Sequence, residues 1–163
     1  MARRLATAED EPFVRSLLSQ VIIQELGADG WPEALRVSLV EQQYRARRQG
    51  IRAAFPEASE EILMLESVPV GWAVIDRGES EIRLVDFVVL DSHRGRGIGA
   101  SRLRELLEEA DRSGKATRLS VVATSPAVRL YERMGFQCTG GDGVRLFMER
   151  PKGQSAGLPP SAG

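Results

Sequence analysis

The segment from His93 to Leu103 reads HRGRGIGASRL. It packs three glycines and three arginines into eleven residues, between the apolar run EIRLVDFVVL (81–90) and a helical pattern. In that pattern Leu103, Leu106, Leu107 and Ala110 recur at i, i+3, i+4 and i+7, one face of a helix. A strand that passes through glycines into a helix start suits phosphate. First-turn N–H groups lack intrahelical partners, and glycine lets the backbone come close to a ligand. From His93 to Arg104 there are four arginines and no acid, so the local field is positive. The alternative is a tight strand-to-helix turn with solvated arginines.

Working outward, Gly114 is placed to stop this helix, and TRLSVVA (117–123) follows as a strand. SPAVRLYERM (125–134) reads as a short helix with Ser125 as N-cap and Pro126 at its first position, closed by Gly135. FQCTGGDGVRLFMER (136–150) reads as a hairpin turning at Gly140–Gly143. Upstream, EILMLES (61–67) and VGWAVIDR (70–77) are strands, with the break between them at Val68-Pro69-Val70. Before these come a short strand at Arg3–Ala6 and a helix with Phe13, Leu17, Val21 and Ile22 at helical spacing, stopped by Gly27. A second helix starts near Trp31-Pro32, with Val37, Val40, Tyr44 and Ile51 as its inner stripe. The order is β-α-α-β-β-β-α-β-α-β-β, an α/β (α+β) domain with a mixed sheet. The strand–helix–strand crossover around the glycine loop makes its two central strands parallel. Residues 1–150 form the single domain, and 151–163, polar and rich in Gly and Pro, form a flexible tail.

Composition narrows the function. The 163 residues suffice for one domain, and 22 Lys+Arg against 23 Asp+Glu give a net charge of −1. That balance argues against nucleic acid or an anionic membrane as partner. The acids of AEDEP, Glu25 and Asp29 also oppose reading the first two helices as a DNA-binding pair. No apolar run approaches the ~18 residues of a membrane span, and no signal-peptide pattern opens the chain. One cysteine, Cys138, and one histidine, His93, allow no disulfide framework and no Cys- or His-based metal site. A reducing cytoplasmic setting follows as the expectation. Cys138 reads as a small buried hydrophobe and His93 as an exposed loop residue.

The loop fits three phosphate frames. Gly95-Arg96-Gly97-Ile98-Gly99-Ala100 matches the dinucleotide pattern G-x-G-x-x-[G/A]. Its context does not: Asp91 to Arg94 separate it from the strand, and Leu119 to Pro126 offers no acid for a ribose. A P-loop fails too, because the only Gly-Lys pair is Gly114-Lys115, followed by Ala116. The third frame is Arg94-x-x-Gly97-x-Gly99. It resembles the acyl-CoA pyrophosphate loop, Arg/Gln-x-x-Gly-x-Gly/Ala, of the GNAT superfamily of N-acetyltransferases. SPAVRLYERMGF (125–136) resembles that family's N-x-x-A-x-x-L-Y-x-x-x-G-F segment, at the expected distance and after the expected strand. The element order is similar as well, and the resemblance covers roughly Arg3 to Arg150.

The resemblance implies a GNAT acyl-CoA N-acyltransferase fold whose central parallel strands splay apart. It implies an enzyme that moves the acetyl group of acetyl-CoA to a primary amine by direct attack in a ternary complex. The backbone of Arg94, Gly95, Arg96, Gly97, Ile98, Gly99 and Ala100 would cradle the pyrophosphate. Phe87, Val88, Val89 and Leu90 would pair with the pantetheine arm as an added strand, and an N–H near Val89 would serve the oxyanion. Tyr131 matches the family's proton donor to the leaving thiolate; its alternative is a core aromatic. Ser125 stands where the family usually has asparagine, as a cap alone or as a cofactor contact. Asp86 is the base for the incoming amine or one half of a salt bridge with Arg83 or an arginine of the first helices. On a regular strand Asp86, Val88 and Leu90 share one face, opposite Val85, Phe87 and Val89; a bulge changes that parity. Trp31, Tyr44, Arg47, Arg48 and Trp72 are the residues expected to shape an acceptor pocket, with core packing and solvation as the alternatives. The acceptor is a small-molecule or peptide amine, no metal is expected, and a homodimer stays open. The rival function is a CoA-binding sensor or partner module without turnover.

Overall fold

The computed structural model describes residues 2–153, and the remainder of the proposed tail lies outside the described residues. Seven strands form one sheet in the order β1-β2-β3-β4-β5-β7-β6. They are β1 (Ala2–Leu5), β2 (Ser59–Leu65), β3 (Val68–Arg77), β4 (Glu81–Val89), β5 (Ala116–Val122), β6 (Gln137–Gly141) and β7 (Arg145–Arg150). The helices are α1 (Glu11–Leu26), α2 (Glu33–Ala54), α3 (Ile98–Ser113) and α4 (Ala127–Arg133). β4 and β5 run parallel across the α3 crossover, and the other neighbours are antiparallel. No helix among the described residues is long and apolar enough to cross a membrane.

The two sheet faces carry separate cores. Leu17, Leu18 and Ile22 of α1 and Tyr44 of α2 pack on Ile62, Trp72, Val74 and Val88. Leu103, Leu106, Leu107 and Ala110 of α3 pack with Tyr131 of α4 on Ile75, Ile82, Leu84 and Leu119. The α3 stripe is thus buried at the spacing its sequence shows. Gly27 and Gly114 cap α1 and α3 in the left-handed conformation, at φ 62° and 66°, as their positions after each apolar stripe require.

Four local expectations need correction. The β2–β3 turn lies at Glu66 and Ser67, both left-handed (φ 50° and 68°), and Val68-Pro69-Val70 belongs to β3. A two-residue loop with both φ positive matches the strand twist, and a register irregularity between Leu63 and Met64 accommodates the proline opposite it. Val37 is exposed, because α2 turns only Val40, Tyr44 and Ile51 of that stripe to the core. Cys138 is exposed as well: β6 is the sheet's edge and carries no helix, so every residue of it faces solvent. His93 is half-buried rather than exposed, in a single 3-10 turn at Asp91–His93, with Nδ1 2.8 Å from Ser92 Oγ.

Candidate active site

The centre of the sheet opens between β4 and β5. Their parallel pairing runs from Glu81↔Ala116 to Leu84↔Leu119 and stops there, although β4 continues to Val89 and β5 to Val122. β5 remains paired to β7 as far as Val122↔Arg145, and β4 to β3 as far as Val89↔Gly71. Two well-supported strands therefore diverge, leaving backbone groups that no neighbouring strand satisfies. Such an edge accepts an extended amide-bearing ligand as an added strand.

The divergence begins at a β-bulge. Val74 stands opposite Asp86 and Ile75 opposite Leu84, so Val85 is the extra residue on β4. Before the bulge, Ile82 and Leu84 face the α3 core; after it, Phe87 faces that side while Val85 and Val88 face α1 and α2. Asp86 thereby turns to α2. The carboxylate accepts from Arg47 Nε at Oδ2 and from Arg47 Nη2 at Oδ1, both at 2.8 Å, and Oδ1 also accepts from the Phe87 N–H at 3.0 Å. The salt bridge foreseen for Asp86 is present, and its cation comes from α2. Glu25 stands 4.0 Å from Arg47 on the other side. Burial opposes the Arg47 charge, but Asp86 and Glu25 outweigh it and raise the guanidinium pKa.

The bulge also decides which β4 groups face the opening. The Leu90 N–H donates to Val70 O of β3 at 2.8 Å. N–H and C=O of one residue share a side and alternate along a strand, so Val88 directs its backbone to β3, as the Leu90 N–H does, while the Leu90 C=O accepts from the His93 N–H at 2.9 Å. Phe87 and Val89 direct theirs into the opening. Of the four residues expected to bind a pantetheine arm, Val88 and Leu90 therefore do not offer main-chain partners. The Phe87 N–H is already held by Asp86, which leaves the Val89 N–H as the donor aimed into the gap.

Beyond β4 the chain makes the 3-10 turn and enters the glycine loop. Gly95 and Gly97 both have φ 76°, a conformation that favours glycine, and a Cβ at either would meet nothing within 4 Å. Conformation, then, requires these glycines, and the space beside them is open. The Ser101 N–H closes the first helical bond on Gly97 O, so those of Ile98, Gly99 and Ala100 precede it and face outward without an intrahelical acceptor. α3 has no acid in its first turn. At Gly99 a Cβ would stand 3.4 Å from Phe87 Cε1, an ordinary van der Waals contact, so packing alone does not require glycine there. Arg94 pairs with Asp91 at 2.8 Å and reaches Val89 O at 3.4 Å, tying the loop to the end of β4. Arg102 points away from the ligand side. It is fully buried and clamps Glu61 of β2 through two bonds of 2.9 and 3.0 Å, which fixes α3 on the sheet. The opening and the loop together fit an extended ligand with a phosphate-bearing end.

Tyr131 comes from α4 on the other side of the opening. Its ring is buried and meets Phe136 edge-on at 5.6 Å, so it is a core aromatic. Its hydroxyl pKa is nevertheless pushed up to about 12, first by burial and then by the nearby charge of Asp86. The phenol stays protonated at neutral pH, and the shift makes it a weaker acid than a free tyrosine. Ser125 caps the helix: its Oγ accepts from the Ala127 N–H at 3.2 Å and its carbonyl from the Val128 N–H at 3.2 Å. The regular helix begins at Ala127, one residue later than expected. Among the residues expected to shape an acceptor pocket, Trp72 is fully buried and Tyr44 is buried with its hydroxyl on Glu11. Arg48 is buried against Glu60 and Glu11, Trp31 is exposed in the α1–α2 connection, and Arg47 is the one of the five that meets the site, through Asp86.

Sequence reasoning missed Gly71, opposite Val89. A Cβ there would stand 2.9 Å from Val88 O and 3.0 Å from Leu63 Cδ1, so only glycine fits this strand pair at the mouth of the opening. A glycine inside a strand pattern is the signal that marks such a close approach. Glu61, Arg102 and the Val85 bulge carried no comparable signal.

Comparison with known proteins agrees with this geometry. A family model described as an acetyltransferase (GNAT) domain matches residues 32–146. No curated protein matches the chain. Among solved structures, PaiA N-acetyltransferase from Thermoplasma acidophilum, in complex with coenzyme A, superposes with a TM-score of 0.69 at 16% identity, covering 92% of this chain and 98% of that one. Ribosomal-protein-alanine N-acetyltransferase from Brucella melitensis gives 0.63 at 24% identity, covering 93% and 99%. Ribosomal-protein-S18-alanine N-acetyltransferase from Escherichia coli gives 0.64 at 16%, covering 96% of each. These three share the fold, and the family match spans most of the chain. The chain belongs to the GNAT acetyltransferase family and is an enzyme of acyl transfer.

Proposed function

We propose that the protein transfers the acetyl group of acetyl-CoA to a primary amine by direct attack in a ternary complex. The observation that carries this reading is the β4–β5 opening, which leads without interruption into the glycine loop and the start of α3. In this reading residues 1–150 act as one catalytic domain. The N–H groups of the loop and of Ile98, Gly99 and Ala100 hold the pyrophosphate, with Arg94 and Arg96 adding positive charge. Phe87 and Val89 line the arm of the ligand. Ser125 uses an acceptor lone pair on Ala127, and its O–H remains free to donate to the ligand. When bound, acetyl-CoA supplies an activated thioester. The Val89 N–H then faces the acyl oxygen and strengthens its hydrogen bond as negative charge develops there.

Tyr131 gives its proton to the departing sulfur. An amine arrives protonated at neutral pH and must lose a proton before it attacks. Asp86 is the proposed acceptor, directly or through water. An ionised carboxylate offers about four lone-pair sites, and three donors fill sites on Asp86. Arg47 holds the carboxylate in place while one lone pair stays open. The Brucella and Escherichia enzymes above are named for a ribosomal-protein alanine. A peptide amino terminus or a small-molecule amine is the acceptor class for this chain, and the reducing cytoplasm is its proposed compartment.

Two measurements test the proposal. Acetyl-CoA at 100 times its Kd should stabilise the fold by about 2.7 kcal/mol, read as a rise in Tm. Thiol release against a panel of peptide and small-molecule amines should then show turnover with at least one. No Tm change at millimolar acetyl-CoA overturns the cofactor assignment. Binding without turnover on a broad panel removes the proposed primary-amine acceptor class.

A further inference from the structure

Glu61 is a buried carboxylate on β2, separated from β4 and the opening by the whole of β3. Arg102 of α3, only 2% exposed, meets it with Nε on Oε2 at 2.9 Å and Nη2 on Oε1 at 3.0 Å. Two further arginines approach the same carboxylate, Arg3 of β1 at 3.6 Å and Arg77 of β3 at 3.7 Å. Each also holds an acid of α3. Arg3 donates to Glu105 at 2.8 Å, and Arg77 donates to Glu109 at 2.7 and 3.1 Å. Three strands thus grip one helix through ion pairs, and Glu61 is the acid that all three arginines share.

Stability does not account for this arrangement. A buried ion pair loses much of its attraction to desolvation, and apolar residues of similar volume often hold a fold as well or better. Leu63, two residues along β2, makes an apolar contact with Ile98 of the same helix. What the pair adds is direction. Apolar burial is non-directional and tolerates small slides and rotations of a helix. A two-bond fork between guanidinium and carboxylate fixes both. Arg102 is the fourth residue after Ile98, so the fork lies one turn from the outward N–H groups of Ile98, Gly99 and Ala100.

We propose that Glu61 is a positioning residue for acetyl-CoA. Through Arg102 it sets the place and rotation of the first turn of α3, and with them the donors for the pyrophosphate. The role rests on acetyl-CoA being the cofactor. Binding groups of this kind serve only within about 0.5 Å of the productive geometry.

The double variant Glu61→Leu with Arg102→Met removes the fork and strands no charge, because Arg3 keeps Glu105 and Arg77 keeps Glu109. Its Tm without ligand should match or exceed that of the wild type. Its Kd and KM for acetyl-CoA should rise about tenfold, the order of a helix-terminus interaction with an anion. At saturation kcat should stay within about threefold of wild type. S-acetylpantetheine, which carries the thioester and the arm but no phosphate, should be turned over equally by both proteins. Arg102→Lys keeps the charge, gives up the fork and should raise Kd by about threefold. Wild-type protein that binds no acetyl-CoA removes the cofactor assignment, and this role with it. With wild-type binding intact, a double-variant Kd within about twofold of wild type overturns the role of Glu61 alone. An equal loss with S-acetylpantetheine overturns it too, because that marks general damage. If the double variant does not fold, Arg102→Lys decides, and unaltered affinity there overturns the proposal.

Discussion

Replacing Tyr131 by Phe separates the two roles of this residue. The ring keeps its burial and its edge contact with Phe136, and among the described residues the hydroxyl has no hydrogen bond to lose. Below pH 10 the variant should therefore match the wild type in stability to within about 1 kcal/mol. Its kcat should fall by about 10² to 10⁴ if the phenol protonates the leaving sulfur, while acetyl-CoA binding stays unchanged. The alkaline limb tests the burial argument. The hydroxyl pKa rises from 10.0 to about 12 on folding. Below pH 10 the phenol is neutral in both states and its contribution is fully present. As pH climbs from 10 to 12 the unfolded chain ionises while the folded one resists, and stability is lost. At pH 11 the loss is about 1.4 kcal/mol, approaching about 3 kcal/mol above pH 12. Urea midpoints for the two proteins between pH 9 and 11 read this difference, since all other titrating groups are common to both. A kcat within threefold of wild type, with acetyl-CoA still bound, removes the acid role. A stability difference that stays flat over that range refutes the burial reasoning itself.

Asp86→Asn keeps the shape but leaves Arg47 facing a neutral amide. It should cost about 1–3 kcal/mol, below the range for fully buried broken pairs because Arg47 keeps some solvent contact. It should also lower kcat by about 10² to 10⁴ with acetyl-CoA binding retained; an unchanged kcat removes Asp86 as the base. Gly97→Ala forces a left-handed alanine at the start of α3 and should lower stability by about 1–2 kcal/mol. Isothermal titration should show weaker acetyl-CoA binding, and unaltered affinity would mean that the loop does not hold the pyrophosphate. Replacing Glu66-Ser67 by Asn-Gly supplies residues that accept the φ values found there and should raise stability by about 1 kcal/mol, or a Tm gain of about 2–4 °C. A fall in Tm would show that these side chains stabilise the turn in another way.

The readable parts of this chain are those where local chemistry has no competitor. The α3 stripe of Leu103, Leu106, Leu107 and Ala110, the caps at Gly27 and Gly114, and the spacing from Arg94 to Gly99 each depend on residues a few positions apart. They appear in the structure where the sequence puts them. What failed depends on neighbours remote in sequence. Cys138 looks apolar enough for a core, but β6 is the outer strand and has no helix above it. Val37 fits the α2 period, yet it is exposed, and only Val40, Tyr44 and Ile51 of that stripe reach the core. The turn expected at Val68-Pro69-Val70 rests on proline as a strong turn signal, whereas Glu66 and Ser67, where the chain turns, carry none.

The single residue Val85 links the main unreadable features of the site. On a regular β4, Asp86 would share the face of Ile82 and Leu84, inside the α3 core, as an unpaired charge among leucines. The extra residue rotates it to the other face, where Arg47 of α2 meets it with two bonds. The same insertion lies where β4 parts from β5, because a strand that bends and twists there cannot hold its parallel neighbour past Leu84. One local event thus opens the gap, aims the Val89 N–H into it and brings a carboxylate near Tyr131 without stranding it in an apolar core. In the sequence LVDFVVL nothing distinguishes Val85 from Val88 or Val89. The bulge follows from the conflict between burying Leu84 and Phe87 on one side and pairing Asp86 on the other, and that conflict exists only once α2 and α3 are in place.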